Sequence, residues 1–273
     1  MTPATAMTPI IAMTPPLKIS QRPYGLEDPS VLTVCSKHPK NVVEQCFEEW
    51  LSYARQDHRP FSLMMSAQQI LTQFKIEPAI DELCQIIAHH QNHPLITLAG
   101  PFVSEAINRS LEWGVVYPGC GDVVLSYVGY ALSRRKVLVV PEGVRTNNCG
   151  DQSEGVILFN GIESESGWFS STGLTVFNGE ASIFGGGNAG LTVCLKDPER
   201  FGHGGQTIYR ALIRRDLHEL HRYLKKLVAP FSSRFSYEHQ SEVARGYHAD
   251  TIRLKVSSIL RMKGYASGGL LRS

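Results

Sequence analysis

The sequence predicts a mainly β fold: a right-handed parallel β-helix, or solenoid, of about six coils, with a helical N-terminal segment and C-terminal helices. The first observation is a phrase that occurs twice, as "GVILFNG" from Gly155 and "GLTVFNG" from Gly173. The second is a set of glycines that recur every six residues: Gly155, Gly161, Gly167, Gly173, Gly179 and Gly185. A repeat this short cannot bury its own apolar face, so successive repeats must stack.

The apolar runs that would form the coil recur about every 19 residues, a period typical of stacked repeats. Their first apolar residues are Ile96, Val115, Val137, Val156, Leu174 and Leu191. A corner glycine allows a positive φ or a close approach between coils, and we expect one of these at Gly173. Like residues should then stack along the axis, Phe159 on Phe177 and Asn160 on Asn178.

Two other β architectures fit the pattern less well. An antiparallel sandwich has regularly spaced turns, but it does not need glycines in register. The coil of hexapeptide acyltransferases has a six-residue rhythm, but it places an aliphatic residue before each glycine. Here those positions hold Glu154, Asn160, Ser166, Thr172, Asn178 and Phe184.

The flanking segments divide the chain into four predicted parts. Residues 1–28 contain three Met-Thr-Pro repeats, and proline at this density predicts a disordered tail. Residues 29–94 have apolar side chains at helical spacing, as in "NVVEQCFEEWLSYARQ" and "IEPAIDELCQIIAHH". The coil occupies residues 95–205. Residues 206–273 predict one helix from Thr207 to just before Pro230, and a second from Ser241 to Leu260.

Composition excludes several classes of partner. The net charge of +2 gives no electrostatic case for nucleic acid, and no apolar run is long enough to span a membrane. Basic residues are missing before Lys18, so the start does not resemble a secretory signal. The six cysteines form no C-x-x-C pair, which predicts reduced thiols in a cytoplasmic protein.

Two places are candidates for an anion or substrate site. In "GHGGQT" a glycine loop precedes the predicted helix, so free backbone N–H groups and the helix dipole would face an anion. The residues involved are His203, Gly204, Gly205 and Arg210; the alternative is a plain exit from the coil. Cys120 lies beside Asp122 at a glycine corner suited to a reactive thiol. The alternative is a buried thiol, because a nucleophile needs a nearby base and none is evident.

We expect no cofactor and no metal site. "GGGNAG" from Gly185 matches the dinucleotide-binding glycine pattern, but a strand follows it where that pattern requires a helix. The histidines of "HHQNH" (His89, His90 and His93) and of "HELH" (His218 and His221) lack the spacing of familiar zinc sites. We assign them to solvated helix faces.

The stretch "GCGDVVLSYVGYALSRRKVLVV", residues 119–140, resembles the repeat of the GXGXG β-helix family. The matching residues are Gly119, Gly121, Asp122, Gly129, Ala131, Leu132 and Ser133. "FNGEASIFGGGNAGLTV" is similar through Gly179, Ala181 and Gly185, so the resemblance spans roughly residues 95–195. The family includes the C-terminal domain of the glutamate synthase large subunit, one of the subunits of formylmethanofuran dehydrogenase, and stand-alone relatives.

The resemblance implies a scaffold or coupling subunit of an amidotransferase or flavin-dependent synthase complex in nitrogen metabolism. Its partners would be larger catalytic subunits or a second copy of the chain. The alternative is an independent enzyme that acts on an amino acid or amine, with its site between the N-terminal helices and the coil. A third possibility is an interaction protein that pairs through an open end of the solenoid.

Overall fold

The computed structural model describes residues 41–163, 172–181, 183–184, 190–196, 200–201 and 217–265 of the 273-residue chain. The predicted tail, residues 1–28, and two of the six spaced glycines, Gly167 and Gly185, lie outside these ranges. Residues 41–273 belong to a single unit. No helix among the described residues is long and apolar enough to cross a bilayer.

The N-terminal segment is helical, as predicted. It contains α1 (Val42–Ala54), α2 (Pro60–Phe74), α3 (Ile80–His89), a 3-10 helix (Ile96–Ala99) and α4 (Gly100–Arg109). Asn41 caps α1 by accepting a hydrogen bond of 2.9 Å from the backbone N–H of Val43. Trp50, Phe47 and Phe102 are fully buried and in mutual ring contact, so α1 and α4 share an aromatic core.

The middle of the chain is a parallel β-solenoid, which confirms the predicted architecture. Its longer sheet contains β1 (Gly114–Val116), β3 (Val137–Val140), β5 (Val156–Phe159), β7 (Leu174–Phe177) and β10 (Leu191–Cys194), in that order. The shorter sheet contains β2 (Leu125–Ser126), β4 (Arg145–Asn147), β6 (Ile162–Glu163) and β8 (Glu180–Ala181). A third pair joins β9 (Ile183–Phe184) to β11 (Arg200–Phe201).

The predicted number of about six coils is wrong, because the described residues form fewer. The first predicted coil began at Ile96, but this residue starts the 3-10 helix that leads into α4. Pro101 sits in the first turn of α4, where its fixed φ favours a helix and its missing N–H costs nothing. Gly100 is therefore a helical residue, and a Cβ there would lie 1.9 Å from the carbonyl oxygen of Ser126 in β2.

The register of the longer sheet matches the sequence pattern from the second strand onwards. Val137 pairs with Val156, Val156 with Leu174, and Leu174 with Leu191. In β1 the partner of Val137 is Gly114, one residue before the predicted Val115. The predicted ladders are confirmed: the rings of Phe159 and Phe177 stack with centroids 5.6 Å apart. Asn178 Nδ2 donates to Asn160 Oδ1 at 2.9 Å.

Glycine directly before β7 and β10 is required by the close approach of successive coils. A Cβ on Gly173 would lie 2.1 Å from the carbonyl oxygen of Gly155, and one on Gly190 would lie 2.2 Å from that of Gly173. Gly179 is equally close to Gly161 in the shorter sheet. Of the two explanations expected at Gly173, contact between coils applies, since its φ is not positive.

The longer sheet is buried on both faces. On one face, Leu138, Ile157 and Phe159 share a hydrophobic cluster with α1–α4. On the other, Val139 and Leu158 belong to a second cluster, formed with three C-terminal helices: α5 (His218–Val228), α6 (Tyr237–Arg245) and α7 (Ala249–Met262). The strands consequently have near-continuous apolar sequences, as expected for parallel sheets covered on both sides.

The C-terminal helices differ from the prediction in one respect. The helix expected before Pro230 is present as α5, although residues 207–216 lie outside the described ranges. The second helix was predicted from Ser241 to Leu260 and is in fact two, α6 and α7, separated at Gly246. Arg253 of α7 is buried and donates to the carbonyl oxygen of Glu154 at 2.5 Å, which ties α7 to a corner of the coil.

Helix α4 takes the place of a coil beneath the first turn of the solenoid. The backbone N–H groups of Tyr127 and Ala131 donate to Asn147 and Asp151 of the next coil. On the opposite side, Ser104 Oγ shares its proton between the carbonyl of Gly100 at 2.7 Å and the carbonyl of Tyr127 at 3.1 Å. The carbonyl of Ala131 accepts from Asn108 Nδ2 at 3.2 Å. The side chains of α4 thus satisfy backbone groups that a further coil would otherwise pair.

We expect Gly173→Ala to lower the free energy of unfolding by about 3 kcal/mol or more, because its Cβ overlaps a backbone carbonyl that cannot rotate away. Gly246→Ala is the matched control, since its φ is −76° and the nearest atom to its Cβ is 3.5 Å away. Denaturant unfolding measures both variants. Equal midpoints would show that the coils do not approach as closely as described.

We expect Ser104→Ala to cost about 1–3 kcal/mol, because two contacts of the first coil are lost together: the hydroxyl accepts from the N–H of Tyr130 and donates to the carbonyl of Tyr127. The N–H of Tyr130 would keep only its turn hydrogen bond of 3.1 Å to the carbonyl of Tyr127. Ser66→Ala is the control: this hydroxyl is also buried, but it only donates to the carbonyl of Leu63, which accepts from Trp50 as well. The control should change stability by less than about 0.5 kcal/mol. A similar loss in both variants would contradict the capping role of α4.

Candidate functional site

The glycine corner around Cys120 does not form an exposed nucleophile site. Gly119 and Gly121 have φ of 81° and 63°, and the N–H of Val123 donates back to the carbonyl of Cys120, which closes a tight turn. The Cys120 side chain is 2% exposed, whereas Asp122 is exposed. The turn therefore separates the two candidate residues, with the thiol inside and the carboxylate outside.

Cys120 belongs instead to a buried polar cluster. Its Sγ lies 3.6 Å from the hydroxyl of Tyr117, and it shares a hydrogen bond with Cys84 of α3. These hydrogen bonds lower the pKa of Cys120 against the opposing effect of burial, while the same bond and burial raise the pKa of Cys84. The five described cysteines are all free and buried. The cluster joins α3 to the first coil.

The other predicted anion-site residues, His203, Gly204, Gly205 and Arg210, lie outside the described residues, as does most of "GGGNAG". The helix histidines divide into two groups. His89 and His218 are exposed, as expected for solvated helix faces, but His90, His93 and His221 are only partly exposed. His90 has its ring edge against the buried ring of Phe47, with centroids 5.7 Å apart.

A cleft of about 610 Å³ lies at the N-terminal end of the solenoid. Its walls are the segment that leads into α3, the turn after α4, strand β1 and helix α6. Gly114 brings α6 close, because a Cβ there would lie 1.8 Å from the carbonyl of Ala244. The floor includes Val115 and Val116, both buried, and the volume is that of a small-molecule site.

Carboxylates dominate the charge of this cleft. Its lining contains four of them, Glu77, Asp81, Glu112 and Glu238, and one guanidinium, Arg245. Arg245 Nε lies 2.7 Å from Glu112 Oε1, so its charge is directed at one of the four. Glu77, Asp81 and Glu238 are exposed, so solvent partly screens the negative potential of the cleft.

A buried lysine holds the acidic turn after α4 in place. Lys136 Nζ donates to the carbonyl oxygens of Ser110 and Glu112, the latter at 2.6 Å. Its side chain is largely buried, and burial lowers its pKa, with Glu112 and Glu77 acting in the opposite direction. Even with this ammonium behind the turn, the four carboxylates outnumber the two cations around the cleft.

Neutral donors complete the lining. Burial raises the pKa of Tyr237, and the charges of Asp81 and Glu112 raise it further, although a hydrogen bond with Ser241 opposes the shift. The phenol therefore remains protonated at neutral pH and can donate a hydrogen bond.

Glu238, in contrast, is stabilised in its charged form, because hydrogen bonds from its own backbone N–H and from Ser236 lower its pKa. It is ionised at neutral pH.

Apolar side chains stand at the mouth of the cleft and beside it. Leu111 lines the cleft and is 87% exposed. Trp113, two residues on, is 40% exposed, and its ring lies 5.7 Å from that of His248. A ligand with an apolar portion next to a cationic group would match both parts of this surface.

None of the charged residues of the cleft was predicted from the sequence as a site residue. The acidic residues at the start of α3 and α6 are typical of helix N-termini, where they complement the helix dipole. The informative feature is that several acidic residues lie at two helix starts that meet in space. Glu77 and Asp81 lie at the start of α3, and Glu238 lies at the start of α6. Both helix starts line the cleft beside β1. The general position, between the N-terminal helices and the coil, is the one expected for the alternative function.

Among the described residues, one group of three has the chemistry and spacing to hold a metal ion: Glu44, Glu48 and His90. It lies at the opposite end of α3 from Asp81, about 13 Å away at the helical rise per residue. It is therefore separate from the cleft.

Comparisons with family models, with curated proteins and with solved structures found no match to this chain. The similarity of its repeat to the GXGXG β-helix family stays a prediction from the sequence.

Proposed function

We propose that the protein binds a small amine in the acidic cleft at the N-terminal end of the solenoid, as an independent enzyme of small-molecule metabolism. The observation that supports this is the excess of carboxylates in a cleft of small-molecule size. An ammonium group donates three hydrogen bonds and would replace part of the repulsion between the carboxylates by attraction. A free amino acid fits less well, because its own carboxylate would be repelled.

The lining also suggests how an amine would be oriented. Its ammonium would lie between Asp81 and Glu112, and the hydroxyl of Tyr237 would donate to a polar atom further along the ligand. Carbon chains would contact Val115 and Val116 on the floor. A carboxylate close to a bound amine is also the type of group that accepts a proton when the amine acts as a nucleophile.

We expect isothermal titration calorimetry to detect binding of 1,4-diaminobutane and at least about tenfold weaker binding of its neutral diacetyl derivative. Glu112→Gln should weaken diamine binding by about tenfold or more, since it removes one carboxylate and leaves Arg245 without that partner. Glu180→Gln, an exposed carboxylate on β8 outside the cleft lining, is the matched control. Equal binding of the charged and neutral compounds would contradict the proposal.

The second candidate is the scaffold or coupling subunit that the repeat's resemblance implies. One surface feature favours it: Phe61 and Met65 of α2, four residues apart on one helix face, are 60% and 37% exposed. Such neighbouring apolar side chains suit contact with another subunit.

If the scaffold role is correct, purification from the native host should recover stoichiometric amidotransferase- or flavin-type subunits, identified by mass spectrometry. Phe61→Glu should remove them without lowering the melting temperature, because the side chain is exposed. Leu254→Glu on α7, at 59% exposure, is the control and should retain them. A chain that purifies alone under these conditions would exclude this function.

A further inference from the structure

We propose that Glu44, Glu48 and His90 form a binding site for a divalent transition-metal ion that clamps α1 to α3. Each residue offers one ligand atom, and these atoms all lie within 4.8 Å of one another. His90 Nε2 and Glu44 Oε1 are 3.7 Å apart. In a tetrahedral zinc site, with bonds of about 2.0–2.2 Å, ligand atoms are about 3.3–3.6 Å apart. Small rotations of the two glutamate side chains would close this difference.

The backbone already directs the three side chains to one point. Glu44 and Glu48 are four residues apart in α1 and therefore share a helix face. His90 follows directly after α3, and its backbone N–H donates to the carbonyls of Ile86 and Ile87. Its ring is held against Phe47, which lies in the fully buried core of α1. The imidazole position is therefore fixed by packing before any ion binds.

The charges of the cluster suit a bound cation. Two glutamates at i and i+4 on a helix repel each other. A protonated His90 would relieve this, but 3.7 Å to Glu44 is longer than the 2.7–3.2 Å of an N–H···O hydrogen bond. A divalent ion would bind both carboxylates and the neutral imidazole at once, and its charge would cancel the repulsion between the two glutamates.

The ligand set selects the class of metal. One imidazole with two carboxylates suits Zn²⁺ and its first-row neighbours, whereas Mg²⁺ and Ca²⁺ prefer oxygen ligands alone. All three side chains are partly exposed, so solvent can reach the ion and supply a fourth ligand. We expected His90 on a solvated helix face because neither glutamate is near it in the chain. The packing of α3 on α1 brings the three residues together.

The test is calorimetric titration of Zn²⁺ into the full-length protein after treatment with a chelator. We expect one Zn²⁺ ion to bind tightly per chain, and the zinc-loaded protein to have a higher melting temperature. His90→Gln and Glu48→Gln should each lower the affinity for this Zn²⁺ ion by at least about 100-fold, since loss of even an indirect partner of a metal ligand lowers metal affinity by about 10–100-fold. His89→Gln, the neighbouring exposed histidine, is the matched control and should retain it. Mg²⁺ in excess should not displace the zinc.

Co²⁺ in place of Zn²⁺ gives an independent readout on the unaltered chain, should either variant fail to fold. An intense visible spectrum typical of four- or five-coordinate Co²⁺, removed by added Zn²⁺, is the expected result. The weak spectrum of hexahydrated Co²⁺ would overturn the proposal. So would zinc titrations that are the same for wild type and His90→Gln, or loss of tight Zn²⁺ binding in His89→Gln.

Discussion

The hydrogen bonds between α4 and the first coil are the contacts that hold the two halves of this molecule in register. A parallel solenoid passes its backbone hydrogen bonds from coil to coil, so the first coil has donors and acceptors that nothing below it satisfies. Ser104 and Asn108 supply those partners from one face of α4. Because α4 is fixed in this way, the aromatic core around Trp50 and Phe102 is carried with it, and the N-terminal helices become the lower end of the solenoid.

Burial of the longer sheet on both faces follows from the same arrangement. The N-terminal helices share a core with one face, while the C-terminal helices cover the other through Leu224, Ile252 and Val256. Asn160 connects the two systems, because its side chain accepts from Asn178 in the next coil and donates to the carbonyl of Val228 at the end of α5 at 2.9 Å. A polar ladder inside an apolar structure is stable only when each of its groups has a partner, and here the helix end provides one.

The acidic cleft and the Glu44–Glu48–His90 cluster lie at opposite ends of α3, and repulsion between carboxylates is important in both. In the cleft, packing brings together carboxylates from separate segments, whereas Glu44 and Glu48 already share a face of α1 and packing adds His90 to them. In both places neighbouring carboxylates repel one another. In the cleft, Arg245 and Lys136 offset part of that repulsion, and a bound amine would offset more. In the cluster, a bound metal ion would have this role. Each site is built from segments that are distant in sequence and fixed by buried contacts, which is how a functional site keeps its geometry.

The solenoid could be predicted from the amino-acid sequence because its repeats are local. The strands from Val137 to Leu191, their register, and the Phe and Asn ladders follow from repeats of similar length, with steps of 19, 18 and 17 residues. Apolar spacing likewise predicted α1, α3 and α5. The helical end of "ITLAG" could not be predicted from this repeat, because its apolar residues fit the strand pattern as well. Pro101 suits the first turn of a helix, and the contacts of α4 with the first coil stabilise that helix in the folded chain. The cleft and the metal-ligand cluster also depend on long-range packing. Their residues come from separate helices, and no local pattern encodes which helix ends will meet.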